Sequence, residues 1–222
     1  MSDLNSFKNI PYMSDTDTLE WIHHKSMEVQ RLMTYYKCAM LEVETKFKVL
    51  DAEYSLQHDR NPINSIKTRL KSFSSIIGKL ERNNLPLTLA SIENNLNDIA
   101  GVRVICSFIE DVYTLADALM NQDDIQLIEI KDYIKNPKKN GYRSLHLIVA
   151  IPIFLENEKR IMKVEIQLRT IAMDCWASLE HQLHYKKDYE FDDESMAQLY
   201  ECAQLSIKLD TIMDELRAKS NI

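Results

Sequence analysis

A basic loop runs straight into an apolar segment at Asn136-Pro137-Lys138-Lys139-Asn140-Gly141-Tyr142-Arg143-Ser144-Leu145-His146-Leu147-Ile148-Val149-Ala150-Ile151. The Asn-Gly pair marks a tight turn, because glycine takes φ > 0 without steric cost, and the chain has only 3 glycines to place. The apolar run after His146 reads as a buried strand. Lys138, Lys139 and Arg143 around the turn suit phosphate, and Tyr142 is a flat ring on which a nucleobase stacks. A phosphate clamp and a stacking ring braced by a core strand make a nucleotide site. The competing interpretation is a lysine-rich surface turn.

Outward from this loop, apolar spacing organises the rest of the chain. Leu19, Ile22, Val29, Met33, Tyr36, Met40, Val43, Phe47 and Leu50 recur at helical intervals, interrupted by Ser26, and predict one long amphipathic helix after a flexible lead at 1–15. Its seam packs either on a catalytic core or on another subunit. Asn61-Pro62 ends that pattern. The spacing then predicts strand 64–71, helix 73–83, a short helix 88–95, strand 101–107, helix 110–121 and strand 125–132. After the loop come strands 144–154 and 160–168, helix 170–185 and a last amphipathic helix over 193–218. Strands mixed with helices in this order indicate an α+β fold with one sheet flanked by helices.

Bulk properties narrow the function. With 222 residues the chain forms one domain with helical additions and a large core. A net charge of −7 argues against a general DNA binder, which needs a broad basic face. The basic residues gather in motifs instead, which suits a small anionic ligand. Cys38, Cys106, Cys175 and Cys202 are widely spaced, with no C-x-x-C pair, so neither a metal nor a disulfide framework is expected. The absence of a signal-like segment or a long apolar run leads to the expectation of a cytoplasmic protein with no membrane partner.

Three further motifs carry chemistry. Arg69-Leu70-Lys71, with Ser75 and Lys79, is a second basic set, and Ser75 and Lys79 fall four apart on one face of a helix whose start favours anions. Asp98-Ile99-Ala100-Gly101-Val102-Arg103 places an acid and an arginine at a strand entrance, where the acid alone would pass for a cap or turn residue. Val164-Glu165-Ile166-Gln167-Leu168-Arg169-Thr170 sets a carboxylate in an apolar strand, and alternation puts Gln167 on the face of Glu165. Asp98 and Glu165 are the pair suited to Mg²⁺, which prefers one or two carboxylates, waters and phosphate oxygens. No G-x-x-x-x-G-K-[ST] loop is present, which disfavours a P-loop ATPase. His23-His24 and the His181/His184 pair read as structural or solvated rather than metal ligands.

From about His58 to Lys187 these motifs, in this order, resemble the synthetase domain of the RelA/SpoT family in its short form, the small alarmone synthetases, and most closely the RelP type. The resemblance implies a mixed, roughly five-stranded nucleotidyltransferase-like sheet with helices on both sides. It divides the chain into an N-terminal lead and long helix (1–57), a catalytic core (58–187) and a C-terminal helix (188–222), all within one structural domain. It implies transfer of the β,γ-diphosphate of ATP to the 3′-hydroxyl of GDP or GTP, giving (p)ppGpp and AMP. Hydrolysis is not expected, because only His58-Asp59 invites comparison with the hydrolase domain of the long relatives.

Under the same resemblance Asp98 and Glu165 hold Mg²⁺, and Glu165 is the base. Arg69 and Arg103 sandwich adenine, while Lys71, Ser75 and Lys79 hold the ATP phosphates. Tyr142 stacks guanine, with Lys138, Arg143, His146 and Gln167 around the acceptor. The resemblance implies a homotetramer and leaves open whether single-stranded RNA regulates it. Rival assignments are a toxin-like relative acting on the 3′ end of tRNA, and a non-catalytic nucleotide- or RNA-binding regulator. Asp174 stands where RelQ-type relatives carry Asn in an effector cleft, and an unpaired carboxylate there predicts little stimulation by pppGpp.

Overall fold

The computed structural model describes residues 15–58, 60–185 and 192–220. The expected lead at 1–15, apart from Asp15, lies outside the described residues, as do Asp59 and Lys187. The side chains of Leu19, Ile22, His23, His24, His58 and His184 also lie outside what is described.

Helix α1 covers Asp15–His58. Leu32, Tyr35, Tyr36, Ala39, Met40, Val43 and Phe47 recur every third or fourth position and are buried in the main core. The seam therefore packs on the chain's own sheet. Val43 and Phe47 are completely buried, each worth about 1.5–3 kcal/mol relative to exposure. After the Asn61-Pro62 break, the backbone N–H of Ile63 donates to Asp51 Oδ1 at 3.1 Å, which ties the first strand to α1.

The remaining elements are β1 (Ile63–Leu70), α2 (Phe73–Arg82), α3 (Leu89–Asn95), β2 (Ala100–Cys106), α4 (Ile109–Met120), β3 (Gln126–Asp132), β4 (Leu145–Phe154), β5 (Lys159–Thr170), α5 (Ile171–Tyr185) and α6 (Asp193–Ser220). Helices α2 and α3 start where Ser72 and Thr88 accept the N–H groups of Ser75 and Ser91, satisfying donors that a helix start leaves open. The five strands lie in the order β1-β2-β5-β4-β3. Strands β2 and β5 run parallel, and the other pairs are antiparallel. This is the mixed five-stranded sheet that the spacing and the resemblance anticipate.

Strand alternation divides the sheet into two unlike faces. Met162, Val164, Ile166 and Leu168 of β5 are buried on one side together with Leu145, Leu147, Val149, Ile151 and Ile153 of β4. Helices α1 and α4 cover that face. Lys163, Glu165 and Gln167 of β5 point to the other side, in register with Gly101 and Arg103 of β2 and His146 of β4. The first turn of α5 leans on one end of this polar face, and its centre forms a cleft.

Helix α6 is pinned to the loop that precedes β4. Gly141 has φ +89°, and a Cβ there would come within 2.4 Å of the Ala203 Cβ on α6. Glycine is required twice, by the turn and by the close helix. The turn itself closes with Gly141 N–H donating to Lys138 O at 2.8 Å and Lys138 N–H to Tyr142 O at 3.1 Å. Trp176 Nε1 donates to Leu199 O at 3.0 Å, fixing α5 against α6.

Candidate active site

Register across the sheet assembles the cleft. On β1 and β2, Lys67 faces Arg103 and Arg69 faces Gly101. On β2 and β5, Gly101 faces Glu165 and Arg103 faces Gln167. On β5 and β4, Gln167 faces His146. Residues from four strands thus become neighbours on one polar face, although they are up to 100 positions apart in sequence (Lys67 to Gln167). The resulting cleft of about 350 Å³ is lined by Lys67, Thr68, Arg69, Lys71, Asp98, Gly101, Val102, Arg103, Glu165 and Gln167, within the usual range for small-molecule sites.

One half of the cleft is built around Asp98. Its Oδ2 accepts from Lys71 Nζ at 2.6 Å and lies 2.7 Å from Lys79 Nζ. Burial pushes the Asp98 carboxyl pKa up, but the bonds and charges of the two lysines outweigh this and hold it below the ordinary value. Its other oxygen, Oδ1, is buried without a hydrogen-bond partner. Arg103 Nε is likewise buried and unpartnered, and burial together with the nearby Arg169 charge lowers the Arg103 pKa. Ser75 stands exposed on the first turn of α2, bonded to Ser72 Oγ at 2.8 Å and outside the cleft lining.

Beside the cleft, a ring of polar contacts runs out from Glu165. Gln167 Nε2 donates to Glu165 Oε2 at 3.2 Å, and His146 Nδ1 lies 3.5 Å from Glu165 Oε1. Burial raises the Glu165 pKa, but His146 and Gln167 together outweigh it, and the net shift is downward. The ring continues through Tyr142 Oη, 2.7 Å from His146 Nε2. Arg169 Nη2 donates to Tyr142 Oη at 2.7 Å and to Gln167 Oε1 at 3.0 Å. Lys138 Nζ lies 4.8 Å from the centre of the Tyr142 ring and 4.7 Å from that of Tyr133, a cation–π arrangement.

Two assignments from sequence change. Arg143 does not reach the acceptor cluster: its buried guanidinium donates from Nη1 to Asp210 Oδ2 at 2.9 Å on α6. It lies outside strand β4, where alternation does not aim it with His146, and it serves the docking of α6. Asp174 is not an unpaired acid. Its carboxylate is within 2.9 Å of Lys67 Nζ, 3.3 Å of Arg103 Nη1 and 3.1 Å of Arg169 Nη1. Three cations offset one carboxylate, so the charge repulsion expected against an anionic effector has no basis here.

Sequence inspection misses Lys67, the Asp174 hub and the central place of Arg169. Lys67 and Arg69 alternate along β1 and Lys71 follows just past its end, so the period-two pattern was a usable signal for the first. Nothing local shows the partners of Asp174, which come from three strands.

A family profile described as "Region found in RelA / SpoT proteins" matches residues 68–190. The chain belongs to the RelA/SpoT family. This RelA/SpoT-family chain is 46% identical over 178 residues to the GTP pyrophosphokinase YwaC of Bacillus subtilis, spanning 80% of this chain and 85% of that one. Its fold is similar to the crystal structure of the small alarmone synthetase 2 from Bacillus subtilis, with a TM-score of 0.79, 41% identity, and coverage of 86% of this chain and 99% of that one. It is equally similar in fold to the small alarmone synthetase 1 from Bacillus subtilis bound to its product pppGpp, at a TM-score of 0.79 and 33% identity over 86% of this chain and 97% of that one.

Proposed function

We propose that this protein is a (p)ppGpp synthetase that moves the β,γ-diphosphate of ATP to the 3′-hydroxyl of GDP or GTP and releases AMP. The observation that carries this is the position of Glu165, whose carboxylate lines the basic cleft and also closes the ring with His146 and Gln167. A base at that junction faces a phosphate-holding half on one side and a stacking half on the other. Relatives named as a GTP pyrophosphokinase and as small alarmone synthetases support the same reaction.

In this scheme Arg69 and Arg103 stack on adenine, since planar guanidinium suits an aromatic face. Lys71 and Lys79 neutralise the phosphates, and Ser75 at the start of α2 adds a hydroxyl. Lys138, Tyr142, His146 and Gln167 hold the guanine nucleotide, with Tyr142 as the stacking ring. Glu165 accepts the proton of the 3′-hydroxyl. That oxygen attacks the β-phosphorus in line, the bond from the β-phosphorus to the α,β-bridging oxygen breaks, and AMP leaves.

Asp98 and Glu165 are the residues that would hold Mg²⁺. They share the cleft, and the orphaned Oδ1 of Asp98 is an acceptor in need of a donor or cation. When bound there, Mg²⁺ supplies charge neutralisation for the transferring phosphates. Among the described residues no group of three or more metal ligands occurs.

The proposal extends to synthesis without hydrolysis, to the RelP type, and to a catalytic core at 58–187 with α1 and α6 packed on it as one domain. It also extends to a cytoplasmic homotetramer open to single-stranded RNA regulation. Leu205, Leu209, Ile212, Met213 and Leu216 leave an exposed apolar side on α6, which gives assembly a physical motive. Among the described residues no helix is long and apolar enough to cross a membrane. Incubation with labelled ATP, Mg²⁺ and GDP or GTP tests the activity: diphosphate transfer to the guanine nucleotide is expected, and its absence with both acceptors overturns the proposal.

A further inference from the structure

Arg169 is 4% exposed, and it lies outside the residues that line the cleft. Its guanidinium nevertheless touches three of the groups that organise the site. Nη1 donates to Asp174 Oδ1 at 3.1 Å, and Nη2 donates to Tyr142 Oη at 2.7 Å and to Gln167 Oε1 at 3.0 Å. A guanidinium carries only donors, so every bond it makes has a fixed direction. A glutamine or histidine in its place would let each chain run either way.

That direction propagates along two routes. Along the first, Tyr142 Oη accepts from Arg169 and turns its own proton toward His146 Nε2, 2.7 Å away. A neutral imidazole that accepts on one nitrogen donates from the other. His146 Nδ1 then carries the proton and faces Glu165 Oε1 across 3.5 Å, a charge contact longer than a formed hydrogen bond. Along the second, the amide oxygen of Gln167 is committed to Arg169, so its NH₂ points to Glu165 Oε2 at 3.2 Å. Both chains start at one arginine and end with an N–H turned toward a different oxygen of the same carboxylate, bonded from Gln167 and in longer contact from His146.

We propose that Arg169 is a positioning residue, held by Asp174, that sets the direction of two hydrogen-bond chains so that both orient the Glu165 carboxylate. This rests on Glu165 as the base of the reaction above. Arg169 touches neither nucleotide and acts through Tyr142, His146 and Gln167. Asp174 also holds Lys67 and Arg103, so the same acid aligns cations in both halves of the cleft. Loss of Arg169 leaves Asp174 with two cationic partners and does not strand it.

The test reads the tautomer of His146 in the full chain without nucleotide, by ¹⁵N NMR of histidine-labelled protein at mildly alkaline pH. Wild type is expected to carry the proton on Nδ1. Arg169→Met is expected to lose that single preference, while Arg169→Lys, also a pure donor, keeps it. In steady-state assays Arg169→Met should lower kcat by about 10²-fold, the usual loss for a misplaced reacting group, and leave KM for ATP little changed. If Arg169→Met does not fold, Tyr142→Phe cuts the first chain at its middle and should release His146 in the same way. A wild-type proton on Nε2, or a His146 signature unaltered in Arg169→Met and Tyr142→Phe, overturns the proposal. Failure of wild type to transfer diphosphate would instead overturn the functional assignment, and the tautomer result would still decide the relay.

Discussion

Lys71 Nζ lies 2.6 Å from Asp98 Oδ2, so the residue proposed for phosphate is bonded to the carboxylate proposed for the metal. Lys79 reaches the same oxygen at 2.7 Å, leaving Oδ1 alone without a partner. The two lysines keep Asp98 ionised before any ligand arrives, and they are at hand to turn toward a triphosphate. Asp98→Asn removes the charge but keeps the shape. We expect it to raise the Mg²⁺ concentration for half-maximal rate by at least the ~10-fold that even indirect metal-site changes cost, measured as initial rates across a Mg²⁺ titration.

Glu165→Gln should nearly abolish turnover while both nucleotides still bind. The amide cannot take the 3′-hydroxyl proton, and general-base loss typically costs about 10²–10⁴-fold in rate. Comparing kcat with calorimetric binding of each nucleotide checks this. Unaltered turnover would remove Glu165 from the chemistry.

Tyr142 contributes a ring and a hydroxyl, and two substitutions separate them. Tyr142→Ala should weaken acceptor binding by about 1–3 kcal/mol, the usual value for a base stacked on an aromatic ring. Tyr142→Phe keeps the ring and should keep KM for the guanine nucleotide. The readout is KM for GDP and GTP in the two variants at saturating ATP.

Asp174 links stability to pH. Burial raises its carboxyl pKa, but the bond from Lys67 and the charges of Arg103 and Arg169 lower it more, for a net depression. A folded pKa below the unfolded one gives stability that is present above the ordinary aspartate value of about 3.9 and is lost as pH falls through the folded value. Asp174→Asn should therefore cost roughly 1.5–3 kcal/mol at neutral pH, the range for hydrogen bonds to charged groups. Denaturant titrations should show the gap from wild type narrowing below about pH 4.

The buried Arg143–Asp210 pair predicts an asymmetry. Burial raises the Asp210 carboxyl pKa against the opposing effects of Thr170 and Arg143, so Asp210 can neutralise itself by taking a proton if its partner is removed. Arg143 has no such escape. Asp210→Ala should thus destabilise the fold by about 3–5 kcal/mol, and Arg143→Met by clearly less. Equilibrium unfolding of the two variants at neutral pH decides the order.

Periodicity along the chain was enough to locate every element from β1 to α6 within two residues of its observed bounds. Elements obey local rules: side chains alternate on strands, recur at 3.6-residue spacing on helices, and break at Asn61-Pro62 and at Asn140-Gly141. The motif carboxylates, Asp98 and Glu165, and the cleft residues Arg69, Lys71, Arg103 and Gln167 were legible from their motifs. Each carries its chemistry in its own side chain, and strand alternation tells that Glu165 and Gln167 share a face.

Local pattern therefore suffices for the set of elements, the α+β class and most of the residues that meet in the cleft. Tertiary structure alone decided how these residues are partnered. The parallel β2–β5 register brings Arg103 beside Gln167, and α5 delivers Asp174 to three cations from three strands. Helix α6 draws Arg143 away from the nucleotide half through Asp210. An ion pair depends on distance and on the dielectric between charges, and both are set by strand order and helix docking among residues remote in sequence. Local pattern can name a charged residue, but only the packed fold shows which opposite charge it meets.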